Sequence, residues 1–366
     1  MKNYVITGAT GHLGNTLVNQ ILNTSADNIK LLVLPNEDVS IYNSARVTIV
    51  YGNILDKAFL EREISKDNIV IHMAGIVDIS AGNKDLLYKV NIEGTRNIAS
   101  VCYEKQVDKF VYTSSVHVIP CGGAEKVLSE PTDFNADNVV GDYAKSKCAA
   151  TDIVFDYARK GLNATVVYPS GIIGPNDIRL SNIGQLIVDI ANKSISARVS
   201  GGYNFVDVRD CANGVLLATE KGENNRGYIL SGNKVSVAEL FTAVQAKFGR
   251  SHLVPRLATW FVNIFVGFIE WVSKVKKEKP LFTKYSLYTL HVNHDFSHKR
   301  ATEELGYTTR PAKESFSDAV DWLIEKKSDL FNEKATRDYL YTEHKKTHKI
   351  KLSLRLLKKS KKKDKI

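Results

Sequence analysis

Over the first half of the chain, short unbroken apolar runs alternate with segments whose apolar residues recur every three or four positions. The runs read as strands at 3–7, 29–34, 47–51, 69–73, 110–113 and 164–168. Between them lie helical patterns, the first with Leu13, Leu17, Val18, Ile21 and Leu22 on one face, and others at 56–65, 84–105 and 141–160. Strands with no polar alternation are covered on both faces. The order therefore predicts an α/β fold, a Rossmann-type doubly wound parallel sheet. After Pro169 the pattern becomes irregular, with Gly171, Gly174, Pro175, Gly184, Gly201 and Gly202. The expected division is a dinucleotide-binding domain over 1–170, with 203–235 returning to it, a mainly substrate-binding lobe over 171–325, and a charged basic tail over 326–366. Residues 298–325 read as two helices around Gly306 and Tyr307. One long apolar stretch, 257–272, is interrupted by Asn263 and Glu270 and is short for a membrane span. It reads as a groove-covering helix or as an apolar lid for a lipophilic substrate.

Composition changes this picture in one respect. At 366 residues and 43% hydrophobic content the chain can hold a full α/β domain and a smaller lobe. The net charge of +10 suggests a polyanion partner until it is located. Residues 341–366 hold ten Lys, one Arg, one Glu and one Asp, so nearly all of the excess lies in the tail. That distribution argues against nucleic acid as a specific partner of the body. Basic residues interleaved with Ile350, Leu352, Leu354, Leu356 and Leu357 give the tail a peripheral membrane contact as a candidate role. Cys102, Cys121, Cys148 and Cys211 show no metal-ligand spacing, and the first strand begins almost at Met1. The expectation is a cytoplasmic protein without disulfides or metal.

Two motifs carry the chemistry. Gly8, Gly11 and Gly14 follow the first strand at three-residue intervals and open a helix. This is the context in which glycines make a tight turn, admit a pyrophosphate and face it with a helix N-terminus. The second strand ends without Asp or Arg at its tip; Glu37 and Asp38 follow in the loop. Their charge would repel a 2′-phosphate, so the pattern leans to NAD over NADP; a basic side chain folding in from elsewhere would reverse it. Downstream, Tyr143 and Lys147 stand one helical turn apart. Tyr-x-x-x-Lys is common on helix surfaces, but behind a dinucleotide turn it suggests a proton donor for hydride transfer, the lysine lowering the phenol pKa by its charge.

With these motifs in this order, the chain resembles the extended short-chain dehydrogenase/reductase superfamily, also described as the NAD-dependent epimerase/dehydratase family. Its likeness is greatest to the dihydroflavonol reductase and 3β-hydroxysteroid dehydrogenase branch, over roughly residues 3–325. The resemblance implies a cofactor contact set. It comprises Gly8, Thr10, Gly11, His12, Leu13 and Gly14 at the turn, and Asn53 and Ile54 on the adenine side, with Asn53 where the family has Asp. His72, Ala74, Gly75 and Asn91 line the nicotinamide side, with Tyr143, Lys147, Pro169 and Ile172. It implies a catalytic set of Ser115, Tyr143 and Lys147, with Ser115 aligning better than Ser114. The segment Phe205–Asp210 matches the one that closes the site, and Tyr168 stands where the family has Arg. The implied activity is NAD(P)-dependent oxidation or reduction of a carbonyl or secondary alcohol on a bulky, apolar small molecule. A homodimer through the helices near 84–105 and 141–160 is the implied assembly. Two alternatives stay open: a nucleotide-sugar epimerase or dehydratase, for which Arg179, Arg198 and Arg209 are the available cations, and a non-catalytic dinucleotide-binding regulator.

Overall fold

The computed structural model describes residues 1–77, 83–121, 127–251, 254–258, 284–292 and 294–345. All but the first two residues of the apolar stretch 257–272, and the tail beyond 345, lie outside them.

Seven parallel strands form the main sheet in the order β3-β2-β1-β4-β5-β6-β9. They are β1 (Asn3–Thr7), β2 (Asn28–Val33), β3 (Val47–Tyr51), β4 (Asn68–His72), β5 (Lys109–Thr113), β6 (Ala164–Pro169) and β9 (Arg226–Leu230). The central strands are buried throughout, and mostly apolar, because helices cover both faces. On one face α2 (Lys57–Glu63), α4 (Thr95–Lys105) and α5 (Asp142–Arg159) enclose a core with Val70, Phe110 and Val166; on the other, α1 (His12–Thr24) and α7 (Val208–Lys221) pack over Ile6, Ile71 and Val111. Strand order reverses between β1 and β4, and such a switch point opens a crevice at the carboxyl ends of the strands. β9 closes the sheet: its outer edge is covered by the Glu130 carboxylate, which accepts from Ile229 N at 3.0 Å, and by Arg300, which donates to Gly227 O at 3.1 Å.

A second sheet of three strands, β10-β8-β7, belongs to the other lobe. β7 (Gly171–Ile173) runs parallel to β8 (Gly202–Asp207), and β10 (Asn233–Ser236) runs antiparallel to it. With α6 (Asn182–Ala191), α8 (Val237–Lys247) and the helix Ala312–Lys326 it encloses a third core around Ile187, Phe205, Val244 and Phe316.

Two expectations need correction. The helix read over 84–105 is three pieces: α3 (Lys84–Tyr88), a π-helical turn over Lys89–Gly94, and α4. Such turns insert one residue into the helical register, here beside Asn91. Gly94 lets Ile54 pack close there, since a Cβ would fall 2.5 Å from the Ile54 side chain and push it aside. Nor does the chain leave the body at 326. Phe331 and Ala335 are buried in the lobe core, and residues 333–345 are helical. Arg250 pairs with Asp338 at 2.8 Å, and the Tyr339 hydroxyl donates to Asp321 at 2.7 Å.

Candidate active site

The glycine turn sits at the switch point. Gly8 has φ +73°, and a Cβ on it would lie 2.6 Å from Ala74 N. A Cβ on Gly14 would lie 2.2 Å from Gly8 O, so α1 and the turn can approach only through hydrogens. Gly11 caps α1 without a side-chain bond, leaving the first N–H groups of the helix to an incoming anion. The other turn residues divide. Leu13 packs its side chain into the core beneath α1, so only its backbone can serve a ligand. His12 Nε2 donates to Pro175 O at 2.8 Å and ties the turn to the second lobe. Thr10 accepts from Arg179 at 2.6 Å. On the adenine side Asn53 is exposed and accepts from Leu55 N at 2.9 Å, while Ile54 packs on Gly94. An arginine does reach the tip of the second strand: Arg179, from the loop after β7, pairs with Glu37 at 2.8 Å. This is the basic side chain from elsewhere that could reverse the lean to NAD, but it arrives already paired with Glu37.

At the other end, β4, β5 and α5 converge. His72 is fully enclosed, with Nδ1 2.7 Å from Thr7 Oγ1 and Nε2 3.0 Å from Thr95 Oγ1. Burial first, and the Lys147 charge second, hold its pKa down to about 3, so it is a neutral strut joining β1, β4 and α4. Ala74 N donates to the Thr7 hydroxyl at 3.2 Å. Asn91, aimed inward by the π-helical turn, accepts from Ile76 N at 2.8 Å and donates to Ser146 Oγ at 3.0 Å. A Cβ on Gly75 would lie 3.1 Å from Asn91 Oδ1 and 3.7 Å from Lys147 Nζ, which places all three around one point.

Tyr143 and Lys147 are both buried on α5. Burial raises the Tyr143 pKa to about 12, and a hydrogen bond from Ser115 works against the rise. Lys147 Nζ donates to the Tyr112 hydroxyl at 3.1 Å and to Thr113 O at 2.7 Å, and burial lowers its pKa to about 7. The lysine is thus held by β5 through Tyr112 and Thr113. Ser114 and Ser115 separate cleanly: Ser114 Oγ lies 2.6 Å from Thr151 Oγ1, a bond between β5 and α5, whereas Ser115 faces Tyr143. Pro169 closes β6 opposite Leu230, and Ile172 lies half-buried in β7. Thr113 Oγ1 and Ser170 Oγ, at the ends of β5 and β6, are buried without partners among the described residues. A turn that excludes Cβ atoms, an uncapped helix start and these orphaned hydroxyls fit a bound dinucleotide.

Sequence reasoning missed the residues behind Tyr143. His117 meets its ring edge-on at 5.6 Å between centroids, and is held by the hydroxyls of Tyr203 at 2.9 Å and Tyr285 at 2.8 Å. Beyond it lies a small cavity of about 20 Å³ whose aromatic and aliphatic lining includes Val139, Tyr288, Val292 and Phe296. Tyr112 was missed as well, though a tyrosine inside an apolar strand is a visible signal. Arg209 pairs with Asp207 and Asp318 at 2.8 and 2.6 Å, so it is not free to clamp an anion. No group of His, Cys, Asp and Glu suited to a metal occurs among the described residues, the four cysteines are unpaired, and no described helix is long and apolar enough to cross a membrane.

Comparisons with known proteins agree with this geometry. The chain is 28% identical over 333 residues to sterol demethylase protein B of Methylococcus capsulatus, spanning 88% of this chain and 98% of that protein. It is 25% identical over 325 residues to the decarboxylating sterol-4-alpha-carboxylate 3-dehydrogenase of Dictyostelium discoideum, spanning 85% and 97%. The crystal structure of gox2253 superposes with a TM-score of 0.79 at 30% identity, covering 91% of this chain and all of that one. The model of the NAD dependent epimerase/dehydratase family matches residues 4–231, and the chain belongs to that family, with the extended short-chain dehydrogenase/reductase fold.

Proposed function

We propose that the protein is an NAD(P)-dependent oxidoreductase that moves a hydride to or from a ring carbonyl or secondary alcohol of a bulky, apolar, sterol-like substrate. The observation that carries the reading is the buried Ser115–Tyr143 pair, with Lys147 one turn away and an aromatic pocket behind it. The nicotinamide, when bound, supplies or accepts the hydride. The remaining work falls to the chain. Tyr143 keeps its proton at neutral pH, because burial raises its pKa to about 12, and can give it to a substrate oxygen. Ser115 orients that oxygen. Lys147 spends two donors on Tyr112 and Thr113, and in its protonated form keeps a third for a ribose hydroxyl. His117, clamped by two phenols, excludes water from the far side of Tyr143.

The substrate class rests on the likeness to two sterol enzymes, and the apolar and aromatic side chains behind Tyr143 suit it. For a charged nucleotide-sugar, Arg179 and Arg209 are already neutralised by carboxylates, which leaves, of the three candidate cations, Arg198, whose Nε is buried without a partner among the described residues. A sterol-like substrate also gives the basic tail beyond 345 a role, as a peripheral contact with anionic membrane; loss of vesicle sedimentation on truncation would bear it out. For the central reading, the test is consumption of NADH or NADPH with a panel of 3-keto sterols, alongside chromatographic product analysis of nucleotide-sugars, whose epimerisation or dehydration consumes no net nicotinamide. Turnover of a keto sterol by the wild type, lost in Tyr143→Phe, is expected. Turnover of the nucleotide-sugars alone would refute it.

A further inference from the structure

The adenosine end of the groove holds an ion pair that the chemistry does not use. Glu37 lies in the loop after β2, its side chain 16% exposed, and accepts from Arg179 Nη2 at 2.8 Å. Arg179 comes from the other lobe, in the loop between β7 and α6. The same Nη2 donates to Thr10 Oγ1 at 2.6 Å, inside the glycine turn. One side chain therefore spans the space between the turn and the tip of the second strand. In a dinucleotide-binding sheet that space receives the adenosine ribose: a carboxylate there accepts from the 2′-hydroxyl, and an arginine takes up a 2′-phosphate. Here both groups are present and are bonded to each other.

We propose that Arg179 reads the 2′ position of the cofactor's adenosine ribose, and that Glu37 holds it in the NAD(H)-selecting state by occupying its guanidinium. The proposal rests on the dinucleotide reading of the groove. A 2′-phosphate would have to displace Glu37 from Arg179 and then sit beside the displaced carboxylate. A 2′-hydroxyl displaces nothing and leaves the pair intact. Asp38 adds little, because it is exposed and turned to Ser40 N at 3.0 Å. Beneath the pair the fold is fixed: the buried Tyr42 hydroxyl donates to Ala9 O at 2.7 Å, so removing one charge does not collapse the corner. With Glu37 neutral, Arg179 and the Thr10 hydroxyl become two donors for a phosphate. A hydrogen bond to a charged group is worth enough to shift binding by about tenfold or more.

Fluorescence titration of NADH and NADPH against the wild type, Glu37→Gln, Arg179→Gln and the double variant tests this without any substrate. The wild type should bind NADH more tightly. Glu37→Gln should tighten NADPH about tenfold or more while changing NADH little, and the gain should vanish in the double variant. The ratio of the two affinities within one protein sample corrects for any loss of folded material. An unchanged ratio in Glu37→Gln, a gain that survives removal of Arg179, or a wild type that prefers NADPH would each overturn the proposal. If the wild type binds neither nucleotide, the reading of the groove fails, and the proposal with it.

Discussion

The two ends of the groove use the same kinds of groups under opposite conditions. At the reacting end Ser115, Tyr143, Lys147 and His72 are all buried, and their partners are buried with them. There desolvation dominates: it draws Lys147 down to about 7 and lifts Tyr143 to about 12. At the adenosine end Arg179 is 53% exposed and pairs with a carboxylate that a ligand could replace. The attraction within a pair open to solvent on one side is worth about 1 kcal/mol, and a 2′-phosphate would also meet the repulsion of the displaced Glu37. The difference teaches where each task belongs. Proton transfer needs groups that water cannot reach, while discrimination between two cofactors needs a pair that can exchange.

The predictions probe that contrast in descending size. Gly8→Ala should remove nucleotide binding at both ends together, because the added Cβ meets the Met73–Ala74 backbone at 2.6–2.7 Å in a left-handed conformation. Unaltered NADH affinity by fluorescence would break the premise that one turn serves both ends. Tyr143→Phe should lower kcat roughly 10²–10⁴-fold with NADH affinity kept, which stopped-flow and titration on one sample can separate. The pH profiles follow from the raised phenol. A phenol with pKa near 12 stays protonated, so kcat/KM for ketone reduction should be flat through neutral and mildly alkaline pH. For alcohol oxidation the phenolate is required, so kcat/KM should climb with pH through the same range; a plateau at neutral pH would contradict the burial argument. Smallest is Ser114→Ala. It removes the bond to Thr151 and should cost about 1 kcal/mol of stability by denaturant titration, with turnover unchanged, whereas Ser115→Ala should do the reverse.

The same contrast governs what could be read from the chain. The main sheet was legible because strands covered on both faces have apolar centres, as Ile69, Val70 and Ile71 do in β4. Tyr143 and Lys147 were legible because their spacing is one helical turn. The π-helical turn at Asn91 was not, since it interrupts the very period by which a helix is recognised. The docked helix over 333–345 hid its Phe331, Ala335 and Tyr339 stripe among charges. Arg179 and Glu37 stand 142 positions apart, and Tyr285 stands 168 from His117. Pairings of that kind are made by the fold and leave no mark on local pattern. Glu37 was noticed for its charge, but the partner that gives that charge its meaning comes from the other lobe.

The central claim is net hydride transfer assisted by Tyr143, and an isotope tests it most directly. NADH deuterated at the transferable position of the nicotinamide C4 would be mixed with a 3-keto sterol, and the product examined by mass spectrometry. One deuterium on the new carbinol carbon, formed by the wild type and lost in Tyr143→Phe, is the predicted result. Unlabelled product, or a rate unaffected by the substitution, would contradict the account.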